Sequence, residues 1–288
     1  MGTLKGTVTL LLIITNTVWH CLILFVLALI RIPLSGSARV RVEVWMDHWV
    51  IDPWVATNRW WFRFIKLCDV NVEWNDPLGL NRDSWYIVVS NHQTWTDILL
   101  LQTTLRDAIP PVKFFTKQQL IWVPFIGVAM YILGFPYVRR ISREQRMQNP
   151  ALANVDRDNT LAACDGFRTH PTAALNFLEG TRFTREKHDR QQRPAYTHLL
   201  NPRLGGLGHV LQGLAEELHC LVDVTIVYPQ GVPTFWEFLK GECPRVEIHI
   251  ESRRLPEDIL DEETQRDALV PWVAAIWQEK DGRLDQTP

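Results

Sequence analysis

No two of the five cysteines (Cys21, Cys68, Cys164, Cys220 and Cys243) stand close enough in sequence to form a CxxC pair. The odd count and irregular spacing exclude a zinc ribbon and a disulfide framework, and fit a reducing compartment. None of the nine histidines falls in an HxH, HxxxH or HExxH pattern, so no metal site is expected. The chain also lacks a basic excess. With 30 Lys and Arg against 32 Asp and Glu, its net charge of −2 argues against a nucleic-acid partner. Apolar residues make up 47% and charged residues 22%, which excludes wholesale disorder. There is no internal repeat and no low-complexity linker.

What stands out is tryptophan. There are 13, and five of them crowd between Trp45 and Trp61. Tryptophan concentrates where a surface is apolar on one side and wet on the other. Just before this cluster, residues 8–30 run for 23 positions without Asp, Glu, Lys or Arg. As a helix they would extend about 34 Å, enough for a hydrocarbon core of about 30 Å. A signal peptide is the competing reading, but its apolar region is usually about 7–15 residues. Lys5 precedes the span, and Arg31, Arg39 and Arg41 follow it. This charge order places the body in the cytoplasm, at a bacterial inner membrane.

Asn16 and His20 share one helix face and need a partner, which a second helix could supply. Residues 39–66 provide a candidate, too polar to span, with aromatics alternating with Arg59, Arg63 and Lys66. Such a helix suits the membrane interface, and Asp52-Pro53 is expected to break it. Residues 1–66 carry seven basic and three acidic side chains, a sign that favours anionic headgroups. The alternative is that these tryptophans cover a soluble core. Residues 1–66 are therefore read as an anchor with an interfacial helix, and 67–288 as a catalytic domain.

Within 67–288, short apolar runs alternate with helical stretches. Strands are expected at 85–90, 112–116, 173–178, 222–228 and 245–250. Helices are expected near 95–106, 118–131, 155–170, 207–219 and 262–279. This is an α/β pattern, a mixed and largely parallel sheet flanked by helices.

Four blocks carry candidate chemistry. Asn91-His92-Gln93-Thr94-Trp95-Thr96-Asp97 follows the first strand. A histidine at a strand end with an aspartate five residues on can form a His–Asp pair able to take a proton from a hydroxyl. A structural, hydrogen-bonded histidine is the bland alternative. Gly134-Phe135-Pro136-Tyr137-Val138-Arg139-Arg140 ends an apolar run in two forked guanidiniums, suited to phosphate oxygens or to a solvated turn. Phe177-Leu178-Glu179-Gly180-Thr181-Arg182 runs a strand into a glycine turn. There Glu179 could hold a hydroxyl or brace an arginine, Gly180 would let backbone approach a ligand, and Arg182 could grip phosphate. The fourth block, Thr225-Ile226-Val227-Tyr228-Pro229, ends an apolar strand.

Together, in this order, the blocks resemble those of the glycerolipid acyltransferase family, which includes 1-acylglycerol-3-phosphate acyltransferases. NHQTWTD resembles its NHxxxxD block, and GFPYVRR the second, with Arg140 in the phosphate-binding place. FLEGTR resembles the third block and TIVYP the fourth. The resemblance covers residues 84–230. Leu178 departs from the proline that many members have before EG, and Arg139 from an acid. FLEGTRFT is closer to the membrane-bound lysophospholipid acyltransferase branch.

The resemblance implies transfer of an acyl group from acyl-CoA or acyl-carrier protein to a lysophospholipid hydroxyl at a lipid bilayer, with no cofactor. It assigns His92 as base and Asp97 as its orienter. Arg139, Arg140, Glu179, Gly180, Thr181 and Arg182 are the expected acceptor-site residues. A metal-dependent phosphohydrolase using His92, Asp97 and Glu179, and a non-catalytic lipid-binding protein, are the rivals.

Overall fold

Three successive helical pieces follow the apolar helix α1 (Gly2–Arg31) in the computed structural model, which describes residues 2–138 and 155–285. These are α2 (Gly36–Met46), a wide π-helical turn (Asp47–Ile51) and α3 (Asp52–Phe64). The break expected at Asp52-Pro53 does not occur. Pro53 falls in the first turn of α3, where its missing N–H matters little. The π turn carries the chain into it, with the Asp52 N–H bonding the Asp47 carbonyl.

Asn16 finds its partner on α3. Its side chain donates to Asn58 Oδ1 and to the Trp54 carbonyl, both at 3.0 Å. Trp54 Nε1 donates in turn to Thr17 Oγ1. His20 Nδ1 instead pairs with the Asn16 carbonyl of its own helix. A buried cluster joins the π turn to the rest of the chain. Asp47 meets His170 Nε2 at 2.9 Å and Lys113 Nζ at 3.3 Å. Burial raises the Asp47 pKa, but Lys113 and His170 outweigh it and hold the carboxyl below its ordinary range.

The six-stranded sheet has the order β1-β8-β7-β2-β6-β3. Its members are β1 (Asp69–Asn75), β2 (Trp85–Ser90), β3 (Val112–Phe114), β6 (Ala173–Asn176), β7 (Leu218–Val227) and β8 (Arg245–Arg253). A small β4–β5 pair (Thr116–Lys117 with Tyr137–Val138) stands apart. Every neighbouring pair in the large sheet is parallel except β7 with β8. The class is mixed α/β, as the sequence pattern predicts. β1 was not foreseen: it is a polar edge strand with no apolar run to betray it.

The remaining helices are α4 (Thr96–Leu105), α5 (Ile126–Ile132), α6 (Val155–Phe167), α7 (Arg185–Asp189), α8 (Gly205–Leu214), α9 (Phe235–Lys240), α10 (Glu257–Leu260) and α11 (Gln265–Asp285). One core face packs β2, β7 and β8 against α4 and α9 through Tyr86, Val88, Leu101, Val224 and Phe238. Leu10, Ile13 and Phe62 of the N-terminal helices join it. The opposite face packs Ile87, Val89 and Leu221 under α6, α8 and α11, with Trp277 fully buried. The expected helix at 118–131 divides into a 3-10 turn (Gln118–Trp122) and α5, because Pro124 cannot donate to a continuing ladder.

Candidate active site

The carboxyl ends of β2, β6 and β7 lie side by side, so the loops leaving them converge. Ligands of open α/β sheets gather at such an edge. From β2 the chain continues through Asn91, whose side-chain amide forms two 2.8 Å bonds with the Ile226 backbone of β7. This clamp fixes the turn that carries His92.

His92 Nδ1 donates to Asp97 Oδ2 at 2.9 Å. The backbone N–H groups of Gln93 and Thr94 converge on the same oxygen at 2.6 and 2.9 Å. The other oxygen accepts the Tyr228 hydroxyl at 2.6 Å. Asp97, in the first turn of α4, is only 1% exposed and fully committed. A carboxylate held this way pins one imidazole tautomer and leaves Nε2 as the free acceptor. The His92 ring stacks on Phe177 with centroids 4.0 Å apart, and 12% of its side chain stays exposed.

Glu179 lies under this loop. One oxygen accepts the His92 N–H at 2.8 Å, and the other the Leu200 N–H at 2.9 Å. Among the described residues it therefore bonds backbone, and neither a hydroxyl nor an arginine. Burial pushes its pKa up to about 8, while the two N–H bonds pull the other way.

Gly180 adopts φ +70°, and a side chain there would meet the Arg203 side chain at 3.0 Å. Thr181 Oγ1 and the Arg182 carbonyl both accept from Lys187 Nζ. The Arg182 guanidinium lies 4.9 Å above the Trp95 ring. Trp95 is 47% exposed and supports this arginine at the surface. Arg139 and Arg140 lie outside the described residues.

Sequence reasoning missed Tyr228 as a member of the His–Asp network, although it ends the fourth block. It also missed Phe177, Lys187 and Arg203. Among the described residues, no three His, Cys, Asp or Glu side chains converge as a metal site.

Comparison with known proteins gives the family and the fold. The chain is 29% identical over 212 residues to lysocardiolipin acyltransferase 1 of Mus musculus, covering 69% of this chain and 53% of that protein. It is 28% identical over 244 residues to a probable 1-acyl-sn-glycerol-3-phosphate acyltransferase 5 of Arabidopsis thaliana, covering 81% and 60%. The chain thus spans about half the length of the curated relatives it matches. The crystal structure of the 1-acyl-sn-glycerophosphate (LPA) acyltransferase PlsC from Thermotoga maritima superposes with a TM-score of 0.55 at 17% identity, over 99% of this chain and 100% of that one. That likeness shows a shared fold. The acyltransferase family profile matches residues 71–227, which hold the His–Asp pair, the Glu179 brace and the β7 wall, and the chain belongs to that family.

Proposed function

We propose that the protein transfers a fatty acyl group from acyl-CoA or acyl-carrier protein to the free hydroxyl of a lysophospholipid at a bilayer surface. The observation that carries this reading is the Asp97-anchored imidazole at the sheet edge, its Nε2 without a hydrogen-bond partner among the described residues. In this scheme Nε2 takes the hydroxyl proton as the oxygen attacks the thioester carbonyl. The tetrahedral intermediate collapses, the C–S bond breaks, and the protonated His92 returns the proton to the leaving thiolate. No acyl-enzyme is required. Arg182, Lys187 and Arg203, with Arg139 and Arg140, supply positive charge for the acceptor phosphate.

The exposed apolar surface supports a membrane-held enzyme. α1 is the one helix among the described residues long and apolar enough to cross a bilayer. Its outward stripe of Leu4, Val8, Leu11, Trp19, Leu22, Val26 and Leu29 is exposed. Trp45, Trp49, Trp60 and Phe64 continue that exposure on α2 to α3, and Trp122, Phe125 and Tyr131 add to it. Tryptophan beside Arg59, Arg63 and Lys66 suits the headgroup layer. With the positive-inside order of the flanking charges, the catalytic body faces the cytoplasm.

Purified protein given labelled acyl-CoA, or labelled acyl-carrier protein, and a panel of lysolipids tests the proposal. Label in a diacyl phospholipid, unaffected by a chelator, is the expected result. Release of inorganic phosphate that a chelator abolishes would favour the phosphohydrolase. Binding with no turnover would favour a lipid-binding protein.

A further inference from the structure

Cys68 and Cys243 are 175 positions apart in sequence, yet their sulfurs lie 3.8 Å apart. We propose that they form a redox-responsive dithiol–disulfide pair that clamps the end of α3 to the start of β8. A disulfide bond needs about 2.05 Å, so closing the gap asks each sulfur to move by about 1 Å.

The surroundings supply access and a consequence. Cys68 is partly exposed and lines an open groove of about 890 Å³ with Lys66, Leu67, Phe238, Gly241 and Pro244. Cys243 lies behind it, 3% exposed. The two therefore have distinct parts, an outer sulfur that solutes reach and an inner one that resolves. The junction is also where the N-terminal helices meet the sheet. Lys5 of α1 donates to the Lys66 carbonyl, and Lys66 itself holds a left-handed φ of +53° at the end of α3. A covalent link here would fix the aromatic α3 against β8.

The oxidant is a small-molecule disulfide such as oxidised glutathione. The Cys68 thiolate attacks it, forming a mixed disulfide and releasing one glutathione thiolate. The Cys243 thiolate then attacks the Cys68 sulfur, forming the protein disulfide and releasing the second. Two thiols are oxidised, one glutathione disulfide is reduced, and both protons leave to solvent or to the released thiolates. The two thiols share a hydrogen bond in which either sulfur can donate. With the resolving sulfur only 3.8 Å away, the mixed disulfide should not accumulate.

The full chain in detergent micelles, equilibrated with graded mixtures of reduced and oxidised glutathione and then alkylated, tests this. Expected is a loss of two hydrogens by intact mass, a Cys68–Cys243 cross-linked peptide in the unreduced digest, and a Tm rise of about 5–10 °C. Cys68→Ala and Cys243→Ala should each abolish the cross-link and the rise. Five thiols alkylated on denaturation, after the folded protein has been equilibrated with excess oxidised glutathione, would overturn the proposal. So would a persistent glutathione adduct on Cys68, or a cross-link to another cysteine.

Discussion

Asp97→Asn will lower acyl transfer by a factor on the order of 10³–10⁴, with little loss of folded protein. The reason is in the hydrogen-bond count. Asp97 accepts four bonds, from His92 Nδ1, the Gln93 and Thr94 N–H groups and the Tyr228 hydroxyl. An asparagine oxygen can keep the two backbone donors, but its NH₂ then points at Tyr228. Turned the other way, the NH₂ faces the backbone N–H groups and His92 Nδ1. Either way the carboxylate charge that supports a protonated imidazole is gone. In the turned state Nδ1 becomes an acceptor and Nε2 carries the proton, so the base is lost. Rates measured with saturating lysolipid check this. A loss below tenfold, with circular dichroism unchanged, would show that Asp97 does not orient the base.

Glu179→Gln carries the second large effect, and it acts on the fold of the site. The carboxyl bridges the His92 and Leu200 N–H groups. Both carboxyl oxygens keep lone pairs for these donors in either protonation state, whereas an amide accepts only one of them and sets its own NH₂ against the other. An unsatisfied buried donor costs about 1–3 kcal/mol, and here it also loosens the His92 turn. Activity should fall at least tenfold and Tm by several degrees.

The pH dependence distinguishes this brace from a passive one. The pKa of Glu179 is raised by burial from 4.5 to about 8, so its neutral form is favoured in the folded state. That contribution is complete below pH 4.5 and is lost as pH rises through about 8. Wild-type Tm should therefore fall between about pH 4.5 and 8 more steeply than that of Glu179→Gln. Parallel curves would remove Glu179 from the account.

Much of this site was legible because its parts are local. The strand at 85–90 is apolar up to Ser90, and His92 and Asp97 follow it closely in the chain. Glu179 was visible as a residue, but its partners His92 and Leu200 are brought to it by the sheet order. Tyr228 reaches Asp97 across 131 positions, and no periodicity encodes that meeting. The same holds for Cys68 and Cys243, which in the sequence read as two scattered thiols. β1 escaped notice because an exposed edge strand needs no apolar face. The tryptophan cluster is exposed at Trp45, Trp49 and Trp60, but not residue by residue, since Trp54 turns inward to Thr17.

The central claim is that His92 takes the acceptor's proton. Its most direct test is transfer of labelled acyl-CoA to lysolipid by wild type and His92→Ala, compared at equal folded concentration in the same lipid vesicles. The account predicts label in phospholipid for the wild type and a loss of at least about 10²-fold for His92→Ala. Near-wild-type turnover by His92→Ala would contradict it.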